Sequence, residues 1–250
     1  MNKLIAFALM TPLFFTAGCT DRQDAKNAKK LHFATSAEYP PFEYQTHGEL
    51  KGFDIALAKL VAKELGKEAV FDNMQFSSIL PALTSNQVDA AISTITITEE
   101  RKKNFDFTAP YYFEGMAAVF KVSNPIKTPS QMAGKKLAAQ LGSTMEIWLK
   151  KNAANEALVA MDNNNQAIEA LKAGHVDVVL MDGAQGAIFS QKNPGLSYAI
   201  IAQAEDGYGI ALKKHSPLTA KINLALNKLK EKGEIAKLKK TWLENTTWKN

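Results

Sequence analysis

The chain has 250 residues, 46% hydrophobic and 22% charged, with a formal net charge of +5. This balance excludes a disordered polyelectrolyte and leaves enough apolar residues for one large domain or two smaller ones. The lysines are scattered. The one dense run, Lys228–Lys240, alternates with leucines at helical spacing and reads as a solvated helix face, so nucleic acid is not an expected partner.

The N-terminus opens with "MNK", a short positive start, followed by "LIAFALMTPLFF". That apolar run has signal-peptide length and is too short to span a bilayer. Cys19 follows in "TAGC" and is the only cysteine, so no disulfide is expected even in an oxidising compartment. A cysteine after Ala-Gly at the end of such a run resembles the bacterial lipobox, although Thr16 stands where leucine is usual. The resemblance implies export, cleavage before Cys19 and lipid on its sulfur. Residues 1–18 are therefore read as a lipoprotein-type signal peptide. Residues 19–30, polar and without apolar period, are read as a flexible tether.

From Leu31 onward short apolar runs alternate with amphipathic helices. "LHFATS" predicts a strand. "FDIALAKLVAKELG" predicts a helix with Phe53, Leu57, Leu60, Val61 and Leu65 on one face and Gly66 as its stop. "AVFDNM" predicts a second strand. "SSILPALTSN" predicts a short helix capped by Ser77 or Ser78, with Pro81 tolerated in its first turn. "VDAAIST" predicts a third strand. The grammar then recurs: "KKLAAQLGST" is strand-like, "MEIWLKKNAA" helical, and "NNQAIEALKAGHVDVVLMD" repeats the layout of "SSILPALTSNQVDAAIST". "YGIALKK" predicts a strand returning toward the first half, and the tail from Ser216 predicts two helices broken at Gly233. Strand-helix alternation in two halves implies an α/β architecture. Ligands of such sheets bind beyond the carboxyl ends of strands, here at Ser93-Thr94 and Met181-Asp182.

"YPPFEY", "GFDIALAKLVAKELG", the tract from Asp89 to Tyr112, "LGST" and "YGIALKK" together resemble the polar amino-acid-binding proteins of ABC importers, over about Leu31 to the C-terminus. The resemblance implies a two-lobed, type II periplasmic-binding-protein-like α/β fold with two strands crossing between the lobes. Residues 31–114 with 207–250 would form lobe 1 and residues 115–206 lobe 2. It also implies capture of a free L-amino acid, a membrane permease as partner, and no cofactor or metal. The protein is expected to be a monomer held to a membrane through lipid on Cys19.

The family's roles fall on matching positions. Arg101 would grip the ligand α-carboxylate through its fork of donors, which a lysine cannot reproduce. Ser93, Thr94 and Thr96 would surround the carboxylate and the ammonium, and Asp182 would take the ammonium. Ser143 and Thr144 would add donors at a helix N-terminus. Tyr39 and Phe76 would flank the side chain. Thr98 is instead the expected N-cap of "EERKKN". Ser36 stands where several relatives for cationic amino acids carry aspartate. Glu38, Glu43, Glu114, Gln140 and Gln185 are candidates for polar contacts to the side chain. "SAEYPPFEY" looks most like the arginine-binding branch, so arginine or another basic amino acid is favoured, with glutamine next.

Two other classes share the fold. A cyclohexadienyl or arogenate dehydratase would need a general acid, for which Glu38 or Glu114 is available. The pairing of Arg101 with Asp182 favours a receptor, because prephenate needs no ammonium partner. A signalling receptor would carry a membrane helix and a further domain; neither is seen up to Asn250, so a free-standing receptor is expected. The four histidines are dispersed, no metal-ligand spacing occurs, and no G-x-S-x-G elbow is present.

Overall fold

The computed structural model describes residues 29–203 and 206–244. The apolar leader, Cys19 and most of the tether lie outside the described residues. Two five-stranded mixed sheets organise the rest. In the first, β1 (Lys30–Thr35) lies between β5 (Glu68–Asn73) and β6 (Ala90–Ala91), parallel to both. It is extended by β13 (Ala211–Lys213), antiparallel to β6 and to β7 (Phe105–Phe107). In the second, β9 (Lys136–Gln140) lies parallel to β10 (Ala157–Met161) and β11 (Val178–Asp182). There β8 (Met116–Lys121) runs antiparallel to β11 and to β12 (Leu196–Ala202). A small meander, β2 (Glu38–Tyr39), β3 (Glu43–Thr46) and β4 (Glu49–Lys51), follows β1.

Each sheet thus has a parallel triplet completed by an antiparallel strand that arrives from the other half. Two segments make these passages. Their backbones pair, with Tyr208 N–H donating to Tyr112 O (2.8 Å) and Tyr111 N–H donating to Tyr208 O (2.9 Å). These backbone bonds tie the two crossing segments to each other between the sheets.

Most helices form where the sequence predicts them; the helix at Gly183–Lys192 is not among those expected. Helix α1 (Phe53–Glu64) buries Phe53, Leu57, Ala58 and Val61 against β1 and the C-terminal helices. It stops at Gly66, whose positive φ lets Gly66 N–H reach Lys63 O (3.0 Å) and Lys67 N–H reach Ala62 O (2.9 Å). Helix α2 (Phe76–Thr84) starts one residue ahead of the expected serine caps. Gln75 takes the cap position without a side-chain bond, and Ser78 N–H closes the turn on Gln75 O at 2.9 Å. Ser77 and Ser78 lie inside the helix because Phe76, packed against the second core of the first sheet, is itself helical. The further helices are α3 (Glu99–Asn104), α4 (Thr144–Asn152), α5 (Asn164–Ala173), α6 (Gly183–Lys192), α7 (Thr219–Glu231) and α8 (Glu234–Lys239). Among the described residues, no helix is long and apolar enough to cross a membrane.

Candidate ligand-binding site

The carboxyl ends of β6 and β11 face one another across a cavity, with α4 and α5 starting at its edge. Tyr39, Phe76, Thr94, Thr96, Arg101, Gln140, Ser143, Thr144 and Asp182 line it, together with Met145, Asn164, Leu180 and Met181. A second space continues from it, lined by Ser36, Glu38, Glu43, Ser93 and Asn163, and shares Tyr39, Phe76, Thr94, Gln140 and Asn164 with the first. All the sequence-predicted site residues except Glu114 and Gln185 that fall among the described residues therefore lie on one of two contiguous spaces.

Arg101 is set by its helix start. Thr98 caps α3, accepting from Arg101 N–H at 3.2 Å, which turns the third helical residue into the cavity. The guanidinium donates to Thr96 O at 2.8 Å and, across the cavity, to Gly142 O at 3.1 Å. Its exposure is only 8%. No carboxylate among the described residues offsets that burial, and desolvation alone pulls its pKa down to about 10. A buried cation that meets only carbonyl oxygens is costly until an anion joins it.

Asp182 is the mirror case. It ends β11 and occupies the N-cap position of α6, but its side chain makes no cap bond. It accepts instead from Tyr39 hydroxyl at 2.5 Å, and it is 6% exposed. Among the described residues no cation reaches it; burial pushes its pKa up to about 7, against the opposing pull of the Tyr39 and Tyr208 hydroxyls. The cavity thus presents one uncompensated cation from the first sheet's side and one uncompensated carboxyl from the second.

The hydroxyl-rich turn divides its work. Thr94 has positive φ, and its N–H is engaged by Asp54 Oδ2 at 2.8 Å. Thr96 Oγ1 lies 3.5 Å from Thr144 Oγ1, bridging the two halves. Ser93 corrects the expectation. Its hydroxyl donates to Glu43 Oε1 at 2.7 Å and accepts from Ser36 N–H at 3.1 Å, so its only proton is not available to a ligand carboxylate. Ser93 holds Glu43 in place instead. On the other wall, Ser143 caps α4 by accepting from Glu146 N–H at 3.2 Å. Ser143 and Thr144, at the start of α4, both line the cavity.

The five candidates for side-chain contacts separate clearly. Glu43 is 1% exposed and lines the second space. Gln140 is buried, lines both spaces, and donates to Asp162 O at 3.3 Å. Glu38 is exposed at the rim. Gln185 is buried but turned away, donating to Pro40 O. Glu114 lies outside both spaces, in the adjoining cleft with Trp148 and Lys151. Asn164 escaped sequence reasoning. It is 4% exposed, lines both spaces, and its Oδ1 has no partner among the described residues. Among the described residues, no group of three His, Cys, Asp or Glu side chains could hold a metal.

The cavity thus sets a buried guanidinium and a buried carboxyl on opposite sheets. A family model described as bacterial extracellular solute-binding proteins, family 3, matches residues 31–245. The chain belongs to this family. Among the curated members, the arginine-binding extracellular protein ArtP of Bacillus subtilis is 34% identical over 244 residues, covering 96% of each chain. An ancestral arginine-binding protein solved with arginine superposes with a TM-score of 0.83 at 40% identity, over 86% of this chain and 98% of the other. A structure of an ancestral arginine-binding protein bound to glutamine gives 0.82 at 41%, with the same coverage. An ancestral amino-acid-binding protein, a precursor of cyclohexadienyl dehydratase, gives 0.80 at 30%, over 89% and 99%. These type II periplasmic binding proteins share the two-sheet architecture of this family 3 chain. The family and its relatives are solute-binding proteins.

Proposed function

We propose that this family 3 protein captures a free L-amino acid between two lobes and delivers it to the permease of an ABC importer. The observation that carries the reading is the pair of buried groups of opposite charge, Arg101 and Asp182, with no counter-ion among the described residues. An α-carboxylate satisfies the first and an α-ammonium the second, so a zwitterion neutralises both at once. Thr96, Thr144, Ser143 and the start of α4 surround the carboxylate. Tyr39 and Phe76 flank the side chain, which extends into the space beside Ser36, Glu43, Gln140 and Asn164.

The side-chain space favours a cation. Among the described residues, Glu43 Oε2 and Asn164 Oδ1 are both buried acceptors without donors. A guanidinium or ammonium supplies several donors and positive charge, and an amide supplies donors alone. Arginine or another basic amino acid is therefore the ligand, with glutamine next. The lobes are residues 31–114 with 207–250, and 115–206. The protein is exported, works as a monomer, and is anchored to the envelope by lipid on Cys19. The dehydratase reading has less support: Glu38 sits exposed at the rim and Glu114 outside the cavity.

The test is calorimetry on protein unfolded and refolded to strip bound ligand, against arginine, lysine, histidine, glutamine and glutamate, with prephenate and arogenate alongside. Micromolar or tighter binding of an amino acid without turnover is expected. No amino-acid binding, with consumption of prephenate or arogenate, would overturn the reading.

A further inference from the structure

Behind the side-chain space lies a second carboxyl that the capture of a zwitterion does not use. Asp54, on α1, is fully buried and accepts from Thr94 N–H and Tyr111 hydroxyl, both at 2.8 Å, through Oδ2. Glu43 accepts from Ser93 through Oε1. That leaves Glu43 Oε2 and Asp54 Oδ1, each buried and without any other donor. Ser93 and Thr94, which hold these two carboxyls, are consecutive residues, so the pair is fixed side by side in the core, and the Asp54 charge, after burial itself, pushes Glu43 up. Two carboxylate oxygens are both acceptors, so they bond only through a proton that one of them carries. The remaining ionisable groups around the pair give it no reason to lose that proton. Tyr39 from β2 and Tyr111 and Tyr208 from the crossing segments are phenols held neutral by burial. Asp182 from β11 and Glu38 at the rim are acids. Arg101, the cation of the cavity, lines the first space rather than the second.

We propose that the Glu43–Asp54 pair holds one shared proton in the ligand-free cavity and releases it when a cationic side chain enters, so that capturing a basic amino acid ejects a proton that capturing a neutral one does not. The inference rests on the reading of the cavity as an amino-acid site. The charges balance. With its proton the pair carries one negative charge. When the ligand cation pairs with Glu43, the proton leaves to solvent and the pair carries two, one of them neutralised by the ligand. A neutral amide brings no charge, so the proton stays and Glu43 meets the ligand as a carboxylic acid. One cavity can thereby accept either side-chain class, with the proton as the compensating charge.

The test is calorimetry of the purified protein at about pH 6 in buffers of different ionisation enthalpy, with arginine and with glutamine. The slope of observed enthalpy against buffer enthalpy counts protons released. Asp182 gives up its proton to solvent when the ammonium of either ligand pairs with it, so its contribution cancels in the difference. Arginine should release roughly half to one proton more than glutamine. In Glu43→Gln that excess should vanish, with arginine affinity falling at least tenfold. Equal release for the two ligands in the wild-type protein overturns the inference without any variant, as does an excess that persists in Glu43→Gln. If neither amino acid binds, the proposed function itself fails, which is a different result.

Discussion

Arg101 and Asp182 are each costly alone, and the cost is what makes them selective. Arg101→Lys keeps the charge but loses the planar fork, and a carboxylate bound through two parallel bonds loses one of them. We expect affinity for the amino acid to fall by about 2 kcal/mol or more, some thirtyfold, by calorimetry. Retention within threefold would mean that the guanidinium serves only its two carbonyl acceptors. For Asp182 the sign of the pH effect follows from its direction. Its folded pKa, about 7, stands above that of the unfolded chain, so the folded state binds the extra proton. Its contribution to stability is full below about pH 4 and is lost as pH rises through about 7. The ligand-free protein should therefore melt at a lower temperature at about pH 8 than at about pH 5, and Asp182→Asn should flatten that dependence. Ligand affinity moves the other way, since an ammonium needs the ionised carboxylate. Glutamine should bind more tightly as pH rises across the same window. A flat profile would place the ammonium elsewhere. At this scale the sequence exposed the charged poles but hid the quieter groups. "DNNNQ" offers three adjacent asparagines; Asn163 caps α5 and Asn164 enters the cavity, and only tertiary register decides which does which. Ser93 looked like a ligand donor because the sequence does not reveal that Glu43 lies beneath it.

At the scale of elements, the site depends on how the loop of Tyr39 docks onto α1. Phe53 N–H donates to Pro41 O at 3.0 Å and Asp54 N–H to Phe42 O at 2.8 Å. Gly52 makes this approach possible. Its φ is 120°, and a Cβ there would stand 2.2 Å from Phe42 O. Gly52→Ala should destabilise the protein by about 2 kcal/mol or more, because both the backbone conformation and the contact are closed to alanine. Urea denaturation checks this, and a change below about 0.5 kcal/mol would contradict it. The loop is further held by Phe42, which packs edge-on against Phe53, Tyr112 and Tyr208 with ring centroids 5.3–6.2 Å apart. Most helices were legible from the sequence, α6 excepted, and so was the cap at Thr98. The start of α2 was not, because hydroxyls mark a cap only where the chain bends. Here the bend falls at Gln75, ahead of an aromatic residue held by the core.

For the whole molecule, the two sheets meet through few contacts besides the crossing segments. Tyr39–Asp182, Arg101–Gly142 and Thr96–Thr144 span the cavity, and each includes a residue assigned to the ligand. A ligand joining these bridges should lock the sheets together and stabilise the fold by mass action. At a thousandfold excess over Kd the gain is about 4 kcal/mol, or roughly 8–16 °C in Tm for a chain of this size. A Tm unmoved by a saturating amino acid would contradict closure. The anchor is separately testable: Cys19→Ser should move the protein from the membrane fraction to the soluble one, and a wild-type protein already soluble would exclude lipidation. The alternating pattern of the sequence foretold both sheets. It carried less about how closely they approach, because cross-cavity contacts come from residues as far apart as Tyr39 and Asp182. The claim on which the rest stands is that Arg101 reads the α-carboxylate. It is tested most directly by measuring arginine and agmatine, which lacks that carboxylate, against wild-type protein and Arg101→Ala. We expect the wild type to prefer arginine by at least a hundredfold, about 3 kcal/mol, and the variant to lose nearly all of that preference. A preference that survives in Arg101→Ala would contradict the account.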